Sequence, residues 1–197
     1  IDGHGLSLTG LVADPSRQSL VSASWDGDLR KWQPETGQQI GRPLHPRQGA
    51  LQALVLHPSL RSVWTGNEEG RLLEVELDER SPLERQSHVL SSELSSLASD
   101  REGKWLAVGG WDKQITLFRV DAGGLQPDKV LRGHDGSISA VAFWEDGTKL
   151  ASAGFDKTVR LWDVATGTAK TLSTGGDLTS ALVFSVDGTR LYSAGFD

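Results

Sequence analysis

A chain of 197 residues, 37% of them hydrophobic, is long enough to bury a substantial core. Its formal charge of -6, with no basic run, argues against broad contact with a phosphate backbone, and no apolar stretch reaches the length of a membrane span. The absence of cysteine excludes disulfides and thiolate metal sites, while 23 glycines, many short apolar runs and no sustained helical period predict an all-β chain rich in tight turns.

In chain order, the first predicted element is SLVSASWDGDLRKW (Ser19 to Trp32), two short runs flanking an Asp-Gly turn, with Leu8 and Leu11 marking a strand ahead of it. A weaker counterpart, SVWTGNEEGRLLEV, follows Leu51 and Leu54. The third is WLAVGGWDKQITLF (Trp105 to Phe118), behind Leu94 and Leu97. The fourth is KLASAGFDKTVRLW (Lys149 to Trp162), behind Ile138 and Val141, and RLYSAGFD (Arg190 to Asp197) opens a fifth behind Thr179 and Leu182. The turn acid falls at Asp26, Glu69, Asp112, Asp156 and Asp197, in steps of 43, 43, 44 and 41 residues. A four-stranded propeller blade repeats at roughly 40 to 45 residues.

The fourth copy shows the strands best. Ser137 to Phe143 alternates, placing Ile138, Ala140 and Ala142 on one face and Val141 and Phe143 on the other, so a strand buried on both sides is expected. Glu145 to Thr148 (EDGT) turns into a strand from Lys149 to Gly154, FDKT turns again, Val159 to Val164 runs back, and Ala165 to Thr168 (ATGT) leads into a fourth strand through about Leu172. A single small sheet cannot bury two apolar faces, so the copies must stack on one another.

Within the fourth copy, His134, Ser152 and Asp156 have the composition of a hydrolase triad. They are followed by Trp162, at separations of 18, 4 and 6 residues, and His4, Ser22, Asp26 and Trp32 repeat the same separations. An enzyme needs one triad, whereas two registered copies, each with a tryptophan, argue for a scaffold device. Gly133-His134 and Trp162-Asp163, flanking DGTKLASAGFDKTVRLW, resemble the WD-repeat β-propeller family over essentially the whole chain. Departures are Gln33 for the closing Asp in the first copy, Thr65, Glu69 and Val75 in the second, Val108 and Phe118 in the third, and Gly175 at the His position of the fifth. The resemblance implies an all-β, incomplete propeller of four-stranded antiparallel blades at 1–44, 45–90, 91–132 and 133–174, with a half blade at 175–197. Rings of this family typically have seven blades, so roughly 100 further residues are expected. It also implies that each His-Ser-Asp-Trp set is a buried hydrogen-bond network tying an outer loop to a tight turn.

The resemblance further implies partner docking on the face bearing the turn before the third strand and the start of the first. The residues preceding the turn acids are Trp25, Glu68, Trp111, Phe155 and Phe196, and Ser137 and Ser139 flank a first-strand position. Aromatic rings among small hydroxyls suit a protein or peptide partner. Trp105 and Trp144 are expected to pack on strand surfaces, and His45, His57 and His88, which lack metal-ligand spacing, to be solvated loop residues. Lys31 and Glu74 place charge where Leu161 is apolar. The expected function is a non-catalytic protein- or peptide-binding scaffold in a longer, cytoplasmic protein, with no cofactor, metal, nucleic acid or membrane partner. Rival classes are a structural spacer or sensor module regulating an attached ATPase or kinase domain, of the kind found behind such arrays in bacteria, and a propeller enzyme with a site in its central channel.

Overall fold

Short apolar runs separated by Asp-Gly turns fold as hairpins, and the hairpins join into antiparallel sheets. The computed structural model describes all residues except 1–2, 15–17, 47–48, 58–60, 78–83, 122–123, 173–177 and 197, and the backbone alone at 84–87. The fifth turn acid, Asp197, and Gly175 lie outside the described residues. Among those described there is no helix.

Two units can be distinguished, Ile1–Leu94 and Ser95–Asp197. The first contains strands β1 (Leu8–Asp14), β2 (Ser19–Ser24), β3 (Leu29–Trp32) and β4 (Gln39–Leu44) as one sheet in chain order, and β5 (Leu51–Leu56), β6 (Ser62–Asn67), β7 (Arg71–Glu76) and β8 (Glu84–Val89) as another. They pack through Val21, Leu29, Leu51, Val63 and Leu73, all at most 1% exposed. The approach is close enough that a Cβ on Gly10 would lie 2.6 Å from Leu54 Cβ.

The second unit, which begins within β9 (Leu94–Ser99), continues with β10 (Trp105–Gly110), β11 (Ile115–Asp121) and β12 (Gly124–Leu131). A second sheet is formed by β13 (Ile138–Phe143), β14 (Lys149–Gly154), β15 (Val159–Asp163) and β16 (Ala169–Leu172), and a two-stranded one by β17 (Leu178–Phe184) and β18 (Leu191–Phe196). The first two sheets share a core of Ala107, Leu117, Ile138, Val141 and Leu150, while Leu182 and Leu191 of the third pack on Ala140, Ala153 and Val159. The turn chemistry behaves as its residues dictate. Asp146 Oδ1 accepts from the Thr148 N–H at 2.9 Å and its hydroxyl at 2.7 Å, with Gly147 at φ 69° completing the bend.

One sequence expectation needs correction. Strict alternation put Ile138 with Ala140, but a bulge between them shifts the register, so Ile138 lies with Val141 and Phe143 in one cluster and Ala140 in another. The same shift recurs in β1, β5 and β17. A bulge sets two residues against one, and a two-residue period cannot follow it. Both faces of β13 are apolar as expected, but the two sets of side chains are divided differently.

Candidate functional site

The network in the second unit is built from two strands, the turn between them and the loop before β13. Trp162 on β15 donates from Nε1 to Ser152 Oγ on β14 at 2.7 Å, and the same oxygen lies 2.7 Å from His134 Nε2. Nδ1 of His134 stands 3.0 and 2.9 Å from the two carboxylate oxygens of Asp156, in the turn after β14. In the first unit the corresponding separations are 2.7 Å for Trp32 to Ser22, 2.7 Å for Ser22 to His4, and 3.1 and 3.0 Å for His4 to Asp26. Indole can only donate, so Ser152 Oγ accepts from Trp162 and passes its own proton toward His134 Nε2. That leaves the Nδ1 proton for Asp156, a neutral imidazole with every polar atom satisfied.

Electrostatics agree with this assignment. Burial holds the His134 imidazole below its usual pKa, despite the opposing pull of Asp156. Burial would raise the Asp156 carboxyl, but the Asp135 N–H at 2.8 Å, His134 and Thr158 outweigh it and keep the group below the ordinary carboxylate range. Asp26 is lowered in the same way, burial being outweighed by the Asp28 and Gly5 N–H groups and by His4. The atom contacts match those of a hydrolytic triad, but the surroundings do not suit that chemistry. Ser152 and Ser22 are 0% exposed, and the oxygen that would attack already accepts an indole proton.

Sequence reasoning missed some members of this network. Thr158 donates from N and Oγ1 to Asp156 at 3.1 and 2.8 Å; its hydroxyl, two residues beyond the acid, was the available signal. Arg30 and Arg160 lie under the loop. A Cβ on Gly3 would fall 3.0 Å from Arg30 Nη1 and 3.1 Å from the Trp32 ring, and on Gly133 2.7 Å from Arg160 Nη1. The arginine ends can move aside, so the stronger constraint is on Gly133, whose φ of 154° disfavours a side chain. Asp163 closes the next turn, accepting from the Thr166 N–H at 2.8 Å, and in the first copy Gln33 substitutes by accepting from the Thr36 hydroxyl at 3.1 Å. The third copy replaces the polar pair with apolar Val108 and Phe118, 2% and 1% exposed. In the second copy Thr65 turns its hydroxyl to the Ala53 carbonyl, and Asn67 Oδ1 caps the turn by accepting from the Glu69 and Arg71 N–H groups.

The aromatic residues before the turn acids point outward. Trp25 is 50% exposed and donates from Nε1 to Gln52 Oε1 in the first unit, where Glu68 is also exposed. In the second unit Trp111, Phe155 and Phe196 are 55%, 53% and 74% exposed. Ser137 bridges two of the turns, its hydroxyl donating to the Trp111 carbonyl and its carbonyl accepting from the Phe155 N–H. Ser139 Oγ is partly buried and donates to the Thr179 carbonyl, so Ser139 joins neighbouring strands.

Other singled-out residues fall as follows. Trp105 lies under the Arg119 guanidinium, and Trp144 packs on Phe184 and under Lys149. Lys31 Nζ donates to the Leu77 carbonyl, and Glu74 accepts from the Ser62 hydroxyl. His45 is exposed and bonded to Asp28. His57 differs from the solvated loop residue expected. It is partly buried with its ring 4.4 Å from that of Trp64, and burial lowers its pKa. No cluster of three potential metal ligands occurs among the described residues.

Comparison with known proteins adds the following. The family model described as WD domain, G-beta repeat, matches residues 1–33, 82–119 and 125–163, more than half the chain, and passes over the degenerate second copy. Echinoderm microtubule-associated protein-like 2 of Rattus norvegicus is 29% identical over 170 residues, covering 84% of this chain and 25% of that protein. The Poly(A)+ RNA export protein of Schizosaccharomyces pombe is 32% identical over 84 residues, 43% of this chain and 24% of its own length. WD repeat and FYVE domain-containing protein 1 of Bos taurus is 23% identical over 218 residues, 87% and 53% respectively. The chain thus spans between about a quarter and about half of these relatives.

Proposed function

Because the chain belongs to the WD-repeat family, we propose that it is a non-catalytic scaffold that docks a protein or peptide partner at the turns carrying the exposed aromatic residues. Repeats of this family serve in general as protein-interaction scaffolds. The observation that carries the reading is the contrast between the two residue sets. The groups capable of chemistry, Ser22, Ser152 and His134, are sealed inside at 0%, 0% and 6% exposure, whereas Trp25 and Phe155, each three residues after one of those serines, and Trp111 stand half open. Exposed aromatic side chains supply large contact area at low entropic cost. A protein partner also suits a chain of net charge -6 better than a nucleic acid does, although one relative is named for RNA export.

The test is affinity capture with the full-length protein, followed by titration of the purified partner against Trp25→Ala and Trp111→Ala separately. Loss of about thirtyfold in affinity is expected, since a hot-spot aromatic contributes on the order of 2 kcal/mol. Unchanged affinity would remove these residues from the site. A full-length chain that retains no defined partner would favour the spacer reading.

A further inference from the structure

The arginines beneath the two Gly-His loops, Arg30 and Arg160, hold the same place in the repeat, two residues before the network tryptophan, but meet different surroundings. Arg30 donates from Nη1 to Gln39 Oε1 at 2.8 Å and from Nη2 to Asp28 Oδ2 at 3.2 Å. Gln39 pairs with Trp32 across β3 and β4, and Asp28 stands two residues after the turn acid. In the fourth copy Ala169 pairs with Trp162 and Thr158 stands two residues after the acid, so both acceptors are gone. The Thr158 hydroxyl is itself engaged, donating to Asp156.

Among the described residues nothing replaces them. Nε of Arg160 is buried without a hydrogen-bond partner, and no hydrogen bond or ion pair reaches its Nη groups. Nε of Arg30 is orphaned too, but there the two Nη contacts offset the loss. Arg160 is only partly exposed, and a guanidinium half withdrawn from water without a counter-charge is costly. The one charge it is known to act on is the His134 imidazole, whose protonation it opposes. Across the strand pair, Thr171 offers a neutral hydroxyl and exposed Ala169 leaves open the place that the Gln39 side chain fills in the first copy.

We propose that Arg160 is a docking point for an acidic side chain of a partner protein, whose carboxylate enters over Ala169 and accepts from the Nη groups. The partner would supply from outside the acceptors that Asp28 and Gln39 supply within the first copy. A guanidinium presents its donors as a planar fork that matches a carboxylate, and Asp28 on Arg30 shows that this position in the repeat takes one. The inference rests on the scaffold reading for a protein partner, but not on the aromatic turns.

The probe is N-acetyl-glutamate α-amide, compared with its glutamine counterpart by titration into the isotope-labelled full chain. The nuclear magnetic resonance signals of the Arg160 Nε–H and of the Gly133 and Ala169 amides are the reporters. The glutamate probe should shift them saturably and the glutamine probe should not, with the difference shrinking as salt rises. Ala169→Gln rebuilds an acceptor of the first copy at an exposed position, and should weaken the glutamate probe about two- to fivefold, as expected for competition with one partly exposed ion pair. Arg160→Lys keeps the charge but loses the fork, and should weaken it as well, read on the two amides. Absence of a saturable shift, equal shifts from the two probes, or a glutamate-specific shift unchanged in both variants would overturn the site. The aromatic turns take no part in this titration, so any of those results leaves the scaffold reading standing; that reading falls instead if the full-length chain retains no partner.

Discussion

Ser152 carries two hydrogen bonds on one buried oxygen, and the cost of disturbing it depends on what else changes. Removing His134 by His134→Ala leaves the Ser152 hydroxyl proton without its acceptor and takes one donor from Asp156, which keeps the Asp135 N–H and Thr158. A loss of about 1 to 3 kcal/mol in denaturant unfolding is expected, with partner affinity unchanged below the melting transition; a lost hydrolytic activity in the folded variant would contradict the scaffold role. Ser152→Val alone strands the Trp162 N–H, whereas Ser152→Val with Trp162→Phe recreates the apolar pair of the third copy, so the double variant should be more stable than the sum of the single ones predicts. The pH dependence follows from the lowered His134 pKa. The unfolded histidine takes up a proton near pH 6.5 before the folded one does, so the stability held by the neutral ring is complete above that value and lost as pH falls below it. The lowered Asp156 carboxyl adds a further loss below about pH 4. Unfolding midpoints measured from pH 8 to pH 5 should fall less steeply in His134→Ala than in the wild type.

Between elements, the controlling features are glycines at which sheets meet. A Cβ on Gly109 would lie 2.5 Å from Ile138 Cγ2, so Gly109→Ala should destabilise by about 1 to 3 kcal/mol, and adding Ile138→Ala should recover part of that loss despite deleting core volume. Recovery in a double-mutant cycle is the check. Strand ends and turns were legible in the sequence because Asp-Gly pairs and short apolar runs act locally: the expected Lys149 to Gly154 strand matches β14 residue for residue. The bulge before Ala140 was not, since an unpaired residue is defined by its partner strand and leaves no mark in composition. His57 was misjudged for the same reason, its neighbour Trp64 being placed by pairing of β5 with β6.

For the molecule as a whole, an all-β chain of WD repeats, built as antiparallel sheets most of which have four strands, gives strands of similar sequence different protection. Ser152-Ala153-Gly154-Phe155 and Ser193-Ala194-Gly195-Phe196 are identical tetrapeptides. In β14 the first three residues are buried between paired neighbours, whereas in β18, the outer strand of a two-stranded sheet, all four are exposed. Amide hydrogen exchange in this 197-residue chain should therefore be slower in β14 than in β18, and comparable rates in the two would contradict this structure. The sequence by itself determined the repeat, its turns, and the register that places His, Ser, Asp and Trp at fixed separations, because those follow from local periodicity and turn chemistry. Only the tertiary structure decided which copies of a motif are sealed, which bond closes each network, and which rings stand open. Burial and hydrogen-bond satisfaction are properties of what packs against a strand, and identical segments acquire different properties from different neighbours.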